Sequence, residues 1–134
     1  MSVFIAKTAK VEGIARIEGN ARVEGNAWIQ HNVRVSGNAV VRGIACVFGR
    51  AKVFGNARIY DNAHVGGHAW IRNNAVVAGN AWIEGSANVS DNAKVRGNAW
   101  VEGIVKVYGH TILEGDVTIS SGMIKDVHWW RDVP

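Results

Sequence analysis

Several residue types that shape other proteins are nearly absent from this chain of 134 residues. Cysteine and proline each occur once, whereas glycine occurs 16 times. The single cysteine, Cys46, cannot form an internal disulfide, so packing must supply the stability, as in most cytosolic proteins. No stretch approaches the roughly 18 consecutive apolar residues of a membrane-spanning helix, and the first residues lack the apolar segment of a secretion signal. We therefore expect a cytoplasmic protein with no membrane partner.

Motifs for the commoner kinds of chemistry are also missing. The sequence has no GxxxxGK[ST] phosphate loop and no pair of cysteines for zinc, so we expect no metal and no resident cofactor. The formal charge of +4 is mild. It favours anionic partners weakly, but it does not predict binding to nucleic acid.

What the chain does have is a six-residue repeat. Valine, isoleucine or leucine recurs at every sixth position from Ile5 to Ile119, which gives twenty consecutive repeats. A small residue stands two positions before the next aliphatic one, from residue 9 onward. It is alanine in fifteen of twenty repeats, and the exceptions are Val33, Val105, Thr111, Val117 and Met123. Between repeats lies a turn sequence, usually Gly-Asn, as in Gly37-Asn38.

This spacing predicts short strands rather than helices. Residues two apart in a strand point to the same face, so the small and the aliphatic residue both face inward. Glycine and asparagine accept the positive φ that turns the chain after each strand. The result is an all-β coil of parallel strands whose coils stack about 4.8 Å apart. We predict that residues 1–124 form this domain and that residues 125–134, where the repeat fails, form a cap or an oligomer contact.

The repeat resembles the hexapeptide-repeat family, and its Gly-Asn-Ala-x-Val/Ile spelling looks most like uncharacterised YdcK-type proteins of bacteria and phages. The resemblance covers residues 5–124. It implies a left-handed parallel β-helix of triangular cross-section with eighteen residues per coil, which for twenty repeats gives about 6.7 coils. Bactofilins, which are right-handed polymerising β-helices, are the second possible relative.

With eighteen residues per coil, the outward positions sort into three faces. The first face carries the residues that we predict to form an interface or binding surface, together with two tryptophans of the tail. They are Trp28, Cys46, Phe48, His64, Trp82, Trp100, Trp129 and Trp130. The second and third faces carry basic residues that we predict to contact anions. They are Arg16, Arg34 and Lys52 on the second face, and Arg22, Arg58 and Lys94 on the third.

These features favour a non-enzymatic structural or interaction protein. We predict a rigid homo-oligomer, with a trimer favoured by the resemblance, that presents a fixed surface to a protein partner or an anionic small ligand. If the protein is phage-encoded, the partner is a host factor, with inhibition of a defence system as one form. Carbohydrate binding through the tryptophans is a further hypothesis.

The alternative is a hexapeptide acyltransferase. The resemblance implies coenzyme A or an acyl-carrier thioester as the acyl donor and a histidine base at a subunit junction. His64 is the candidate base because it lies among the outward tryptophans. His31, His68, His110 and His128 are better explained by turns or by the tail. Against this reading, the repeats contain no insertion that would build a substrate pocket.

Overall fold

A computed structural model describes residues 3–130, and over this range the chain consists of strands and turns without a helix. No segment of this range is a helix long and apolar enough to cross a membrane. The strands are β1 (Phe4–Ile5), β2 (Lys10–Val11), β3 (Arg16–Ile17), β4 (Arg22–Val23), β5 (Trp28–Ile29), β6 (Arg34–Val35), β7 (Val40–Val41), β8 (Cys46–Val47), β9 (Lys52–Val53), β10 (Arg58–Ile59), β11 (His64–Val65), β12 (Trp70–Ile71), β13 (Val76–Val77), β14 (Trp82–Ile83), β15 (Asn88–Val89), β16 (Lys94–Val95), β17 (Trp100–Tyr108), β18 (Ile112–Glu114), β19 (Thr118–Lys125) and β20 (His128–Trp130).

Each strand pairs in parallel with the strand three places further along the chain, as β10 does with β13, so three strands make one coil. The first face consists of β2, β5, β8, β11, β14 and the start of β17, and the second of β3, β6, β9, β12, β15 and the end of β17. The third face consists of β1, β4, β7, β10, β13, β16, β18 and β20. Paired residues are eighteen apart along most of the chain, as in Arg58 with Val76. The predicted parallel β-solenoid is confirmed, with about seven coils.

The core is a column of alternating small and aliphatic side chains. Ala57 and Ile59 are both fully buried, and the equivalent pairs are buried in the coils on either side. Alanine fits near the corner, where the three faces leave little room, and the branched aliphatic residue fills the centre of each strand. Because each coil covers its neighbours, the stack rather than the single repeat is the unit of stability.

The corners depend on residues that accept a positive φ. Gly37 has a φ of 66°, and a Cβ there would lie 2.9 Å from the backbone nitrogen of Gly55 in the next coil. His31 and Asp61 take the same turn position with φ values of 66° and 61°. They are tolerated because their side chains accept hydrogen bonds from the backbone of the next coil. His31 Nδ1 accepts from Gly49 N (3.3 Å) and Asp61 Oδ2 from Gly79 N (3.2 Å).

Asparagine side chains link the coils along two of the corners. Between the second and third faces each Nδ2 donates to the next Oδ1, at 3.2–3.3 Å, through Asn20, Asn38, Asn56, Asn74 and Asn92. A second row, which the sequence analysis did not identify, lies between the third and first faces. It runs at 3.1–3.4 Å through Asn62, Asn80, Asn98 and Asp116.

The last coil is shorter than the repeat predicts. Val101 pairs with Ile119, eighteen residues on, but Val105 pairs with Gly122, which is only seventeen residues on. The prediction that Met123 occupies a small inward position is therefore wrong. Met123 pairs with Lys106 at an outward position and is 65% exposed. The cause is the corner inside β19, between Ile119 and Ser121. It continues as strand paired with β17 through a register shift, instead of forming a Gly-Asn turn, and it uses one residue fewer.

The tail contributes one more strand to the third face. Strand β20 pairs in parallel with β18, with Ile112 opposite His128, sixteen residues on. The division at residue 124 and the role of residues 125–134 as a cap or oligomer contact stay predictions. The side chains of Trp129 and Trp130, which we predicted as contact residues, lie outside the described residues, as do residues 131–134.

Candidate functional site

The outward residues of the first face form one continuous row, which we call the tryptophan ladder. Each member lies on a different strand and pairs directly with the next in parallel register. Its members are Trp28, Cys46, His64, Trp82 and Trp100. The structure thus brings together the side chains that the sequence placed on one face; their role as an interface stays a prediction.

The C-terminal half of the tryptophan ladder is a stack of three rings. His64 lies on Trp82 with 4.6 Å between ring centres and 6° between planes, and Trp82 lies on Trp100 at 5.3 Å and 14°. The rings are parallel because the coil spacing is close to the separation at which aromatic rings stack. Both faces of the Trp82 ring are therefore covered, and its Nε1 is buried without a hydrogen-bond partner among the described residues.

Trp28 stands apart from this stack, on the other side of Cys46. Its Nε1 donates to Glu12 Oε1 at 3.0 Å, and the Lys10 ammonium lies 5.2 Å from the centre of its ring. The indole is still 37% exposed, and Trp100 at the far end of the ladder is 41% exposed. The ladder therefore presents exposed indoles at two separated points.

Cys46 and Phe48, two more residues of the predicted contact surface, are only partly exposed. Burial raises the pKa of the Cys46 thiol, so it is protonated at neutral pH and is a poor nucleophile. Phe48 lies across Gly66 of the next coil, where a Cβ would overlap its ring. Gly66 thus leaves room for the Phe48 ring and does not occupy a positive-φ turn position.

The hydrogen bond of His64 leaves one ring nitrogen as an acceptor. Its Nδ1 lies 3.1 Å from the carbonyl oxygen of Asn62 and therefore donates to it, which leaves Nε2 as the acceptor in the neutral ring. One ring face is covered by Trp82. The surface cavities at Asn56, Ser90, His68 and Arg16 are lined by residues other than His64.

The basic residues of the second face lie in register, and one of them, Lys52, contacts an aromatic ring. Arg16 pairs with Arg34 across β3 and β6, and both line a cavity of about 200 Å³. Lys52 follows Arg34, and its ammonium lies 5.2 Å from the ring centre of Trp70. Arg16 and Arg34 are the members best placed to contact an anion.

The basic residues of the third face are less uniform. Arg22 forms an ion pair with Glu24 at 2.6 Å and covers the ring of Phe4 at 4.9 Å. Arg58 lines a groove of about 480 Å³, and Lys94 lies between Val76 and Ile112 on neighbouring strands. No group of three or more His, Cys, Asp or Glu side chains within residues 3–130 is arranged to hold a metal ion.

Comparison with known families identifies the repeat. The model of the YdcK β-solenoid repeat matches residues 51–67. Over these residues the repeat is similar to the YdcK type. The resemblance that the Gly-Asn-Ala spelling suggested is thereby confirmed, and the matched segment runs from β9 to β11.

A solved structure is similar to this chain at low sequence identity. It is a UDP-N-acetylglucosamine acyltransferase from Campylobacter jejuni, 16% identical in sequence with a TM-score of 0.44. The match covers 89% of this chain and 68% of that enzyme. At this identity and TM-score the likeness supports no inference about activity. No curated protein sequence matches the chain.

One cavity on the surface of the solenoid was not predicted from the sequence. It lies on the second face beside β15, where Asn88 and Ser90 are short. One coil earlier the same positions hold Trp70 and Arg72. The sequence signal for this cavity is the change from large to small side chains between positions eighteen residues apart.

Proposed function

We propose that this protein is a non-catalytic, rigid β-solenoid that self-associates through the tryptophan ladder and presents its remaining faces to a partner. The observation that carries the proposal is the exposure of Trp28 and Trp100 at 37% and 41% on one flat face. Large aromatic side chains left partly exposed in one row are typical of contact surfaces.

The energetics support an interface that includes the edges of the face. A tryptophan presents up to about 250 Å², so the exposed fractions of Trp28 and Trp100 leave roughly 200 Å² to bury on each chain. At about 25 cal/mol per Å² this gives on the order of 5 kcal/mol per chain. Association costs about 4–15 kcal/mol, so two ladders, at about 10 kcal/mol together, fall within this range without clearly exceeding it.

Apolar corner residues supply further area beside the ladder. Ile104 is 80% exposed at the corner shared with the second face, and Ile44 is 55% exposed at the corner shared with the third. Ile44 stands where the coils on either side have asparagine, and its side chain cannot join an asparagine row. A second copy of the chain, with the same flat aromatic face, would cover these residues together with the ladder, and the family resemblance favours a trimer.

Sedimentation of matched tryptophan variants tests this proposal. Trp28→Gln combined with Trp100→Gln removes both exposed indoles, and we expect the particle mass to fall to that of one chain. Trp70→Gln is the control, because Trp70 is 39% exposed on the second face, and we expect it to keep the wild-type mass. A wild-type protein that sediments as a monomer, or equal masses for the double variant and wild type, would contradict the proposal.

Carbohydrate binding by the ladder is disfavoured by the ring geometry. Sugars stack on open ring faces, but Trp82 is covered on one side by His64 and on the other by Trp100. Outward-facing ring edges are better suited to packing against another protein surface.

Acyl transfer with His64 as the base is the second candidate, favoured by the Nδ1 hydrogen bond that leaves Nε2 as the acceptor. A subunit junction at the ladder would bring a second chain to this ring. Retention on a coenzyme A resin and hydrolysis or transfer of acetyl-coenzyme A would support it. Equal turnover by wild type and His64→Ala would eliminate His64 from this role.

A further inference from the structure

The cavity on the second face lies in a notch between two coils with long side chains. Asn88 and Ser90 form its floor on β15 and just after it, and the cavity measures about 270 Å³. Arg72 borders it from the preceding coil, and Lys106 and Tyr108 border it from the following one. Arg72, Ser90 and Tyr108 occupy the same outward position in three successive coils. The notch exists because the side chain of Ser90 is much smaller than the two on either side.

Ser90 is the polar residue that makes this notch unusual. The residue is only 7% exposed, and it lines the cavity. Its backbone nitrogen donates to Val107 O at 2.9 Å, whereas its hydroxyl is reached by solvent and makes no hydrogen bond among residues 3–130. An accessible hydroxyl at the floor of a cavity can donate to a polar ligand atom that enters it.

The charges around Ser90 are mainly positive. Arg72 and Lys106 both line the cavity, and the Arg72 guanidinium is oriented by a hydrogen bond from Nε to Asn88 Oδ1 at 3.3 Å. Asp91 also lines the cavity, but its Oδ2 accepts a hydrogen bond from Gly109 N at 3.1 Å. The local balance of two cations against one occupied carboxylate favours an anion.

The remaining wall is apolar. The ring of Tyr108 and the side chain of Met123, which is 65% exposed, close the cavity on the side of the last coil. Met123 reaches this place only because the last coil is one residue shorter and its side chain points outward. An anionic group near Ser90 would therefore leave the rest of a small ligand against Tyr108 and Met123.

We propose that this notch binds the phosphoryl group of a small molecule, with Arg72, Lys106 and Ser90 contacting the phosphate and Tyr108 and Met123 contacting an apolar substituent. An arginine that is held in place binds phosphate oxygens through more than one N–H, and a lysine adds a point charge. The volume is slightly below the roughly 300–1000 Å³ of common ligand sites. It therefore suits a compact ligand and excludes a larger one such as a dinucleotide.

Isothermal titration calorimetry with phenyl phosphate and with inorganic phosphate tests the site. We expect phenyl phosphate to bind the wild-type protein more tightly than inorganic phosphate, because only the ester carries an apolar group. Arg72→Gln should weaken binding of phenyl phosphate about tenfold, as expected for the loss of a charged hydrogen bond. Arg50→Gln is the matched control, since it removes the same charge from an exposed turn outside the notch, and it should change affinity less than twofold.

A filled-notch variant provides an independent test. Ser90→Phe should abolish binding, and the fold should accept it because the same outward position carries Phe54 and Tyr108 in other coils. Circular dichroism checks that Ser90→Phe keeps its strands. If this variant does not fold, the titration of Arg72→Gln tests the proposal instead. The proposal is overturned if phenyl phosphate fails to bind wild type, or if Arg72→Gln and Arg50→Gln weaken binding equally.

Discussion

Glu114 is the residue whose ionisation depends most on its neighbours. Its carboxylate accepts hydrogen bonds from His128 Nε2 at 2.8 Å and from Arg96 Nε at 3.1 Å. The hydrogen bond from His128, followed by that from Arg96, lowers the pKa of Glu114 below its ordinary value. These contacts link β16, β18 and β20 on the third face, so the charge of one side chain helps to join the last coils.

We predict that Glu114 titrates below the ordinary pH range of a glutamate and that His128→Ala raises its midpoint. Because the folded pKa is depressed, the stabilisation is present above the unfolded pKa and is lost as the pH falls through the folded pKa. Carbon-13 NMR of the Glu114 carboxyl measures the midpoint. Arg96→Ala should raise it less than His128→Ala does, and a wild-type midpoint at the ordinary value would contradict the prediction.

At the scale of the strand and corner, the asparagine rows convert single turns into a continuous element. Asn56 accepts from Asn38 at 3.2 Å and donates to Asn74 at 3.3 Å. Asn26 provides a natural comparison. It occupies a turn position on another corner, the next coil places Ile44 beside it, and its side chain makes no hydrogen bond among the described residues.

We predict that Asn56→Ala lowers the free energy of unfolding by about 1 kcal/mol, because it removes two exposed side-chain hydrogen bonds. Asn26→Ala should have less than half this effect, since both changes remove an asparagine from a turn but only one breaks a row. Urea unfolding followed by circular dichroism measures the difference. Equal losses would show that turn preference, rather than bonding between coils, accounts for the asparagines.

The elements also show where sequence reasoning succeeds and where it stops. The repeat predicts that Ala57 and Ile59 both face the core, because every coil imposes the same constraint. It also predicts the positive φ at the turn positions of His31 and Asp61. Met123 was misplaced because the shortening at the last corner depends on strand pairing, which leaves no mark in the six-residue spacing. At the ladder, the repeat gives the register but not the stacking of His64 on Trp82, which depends on side-chain torsions.

The same limit applies to the notch on the second face. The positions of Asn88 and Ser90 were predictable from the spacing, but a cavity depends on the sizes of side chains in three successive coils. The low exposure of Ser90 depends on how far Arg72 and Tyr108 extend over it. Repeats therefore predict positions well and surface relief poorly.

At the scale of the whole molecule, stability should vary along the solenoid because each coil contacts only its neighbours. Ile59 lies on β10, which pairs with strands on both sides, and its side chain is fully buried. Ile17 lies on β3, which pairs only with β6, and its side chain is partly exposed. The same residue type thus occupies the same inward position in two different surroundings.

We predict that Ile59→Ala costs about 2–5 kcal/mol, the range for a buried isoleucine that leaves a cavity. Ile17→Ala should cost less than half as much, because water already reaches its side chain and the coil at the end can relax. Urea unfolding gives the two free energies, and hydrogen exchange at the amides of β10 and β3 shows whether the losses are local. Equal costs would contradict the prediction. They would mean that a second chain covers β3 in solution, which a sedimentation mass above that of one chain would show.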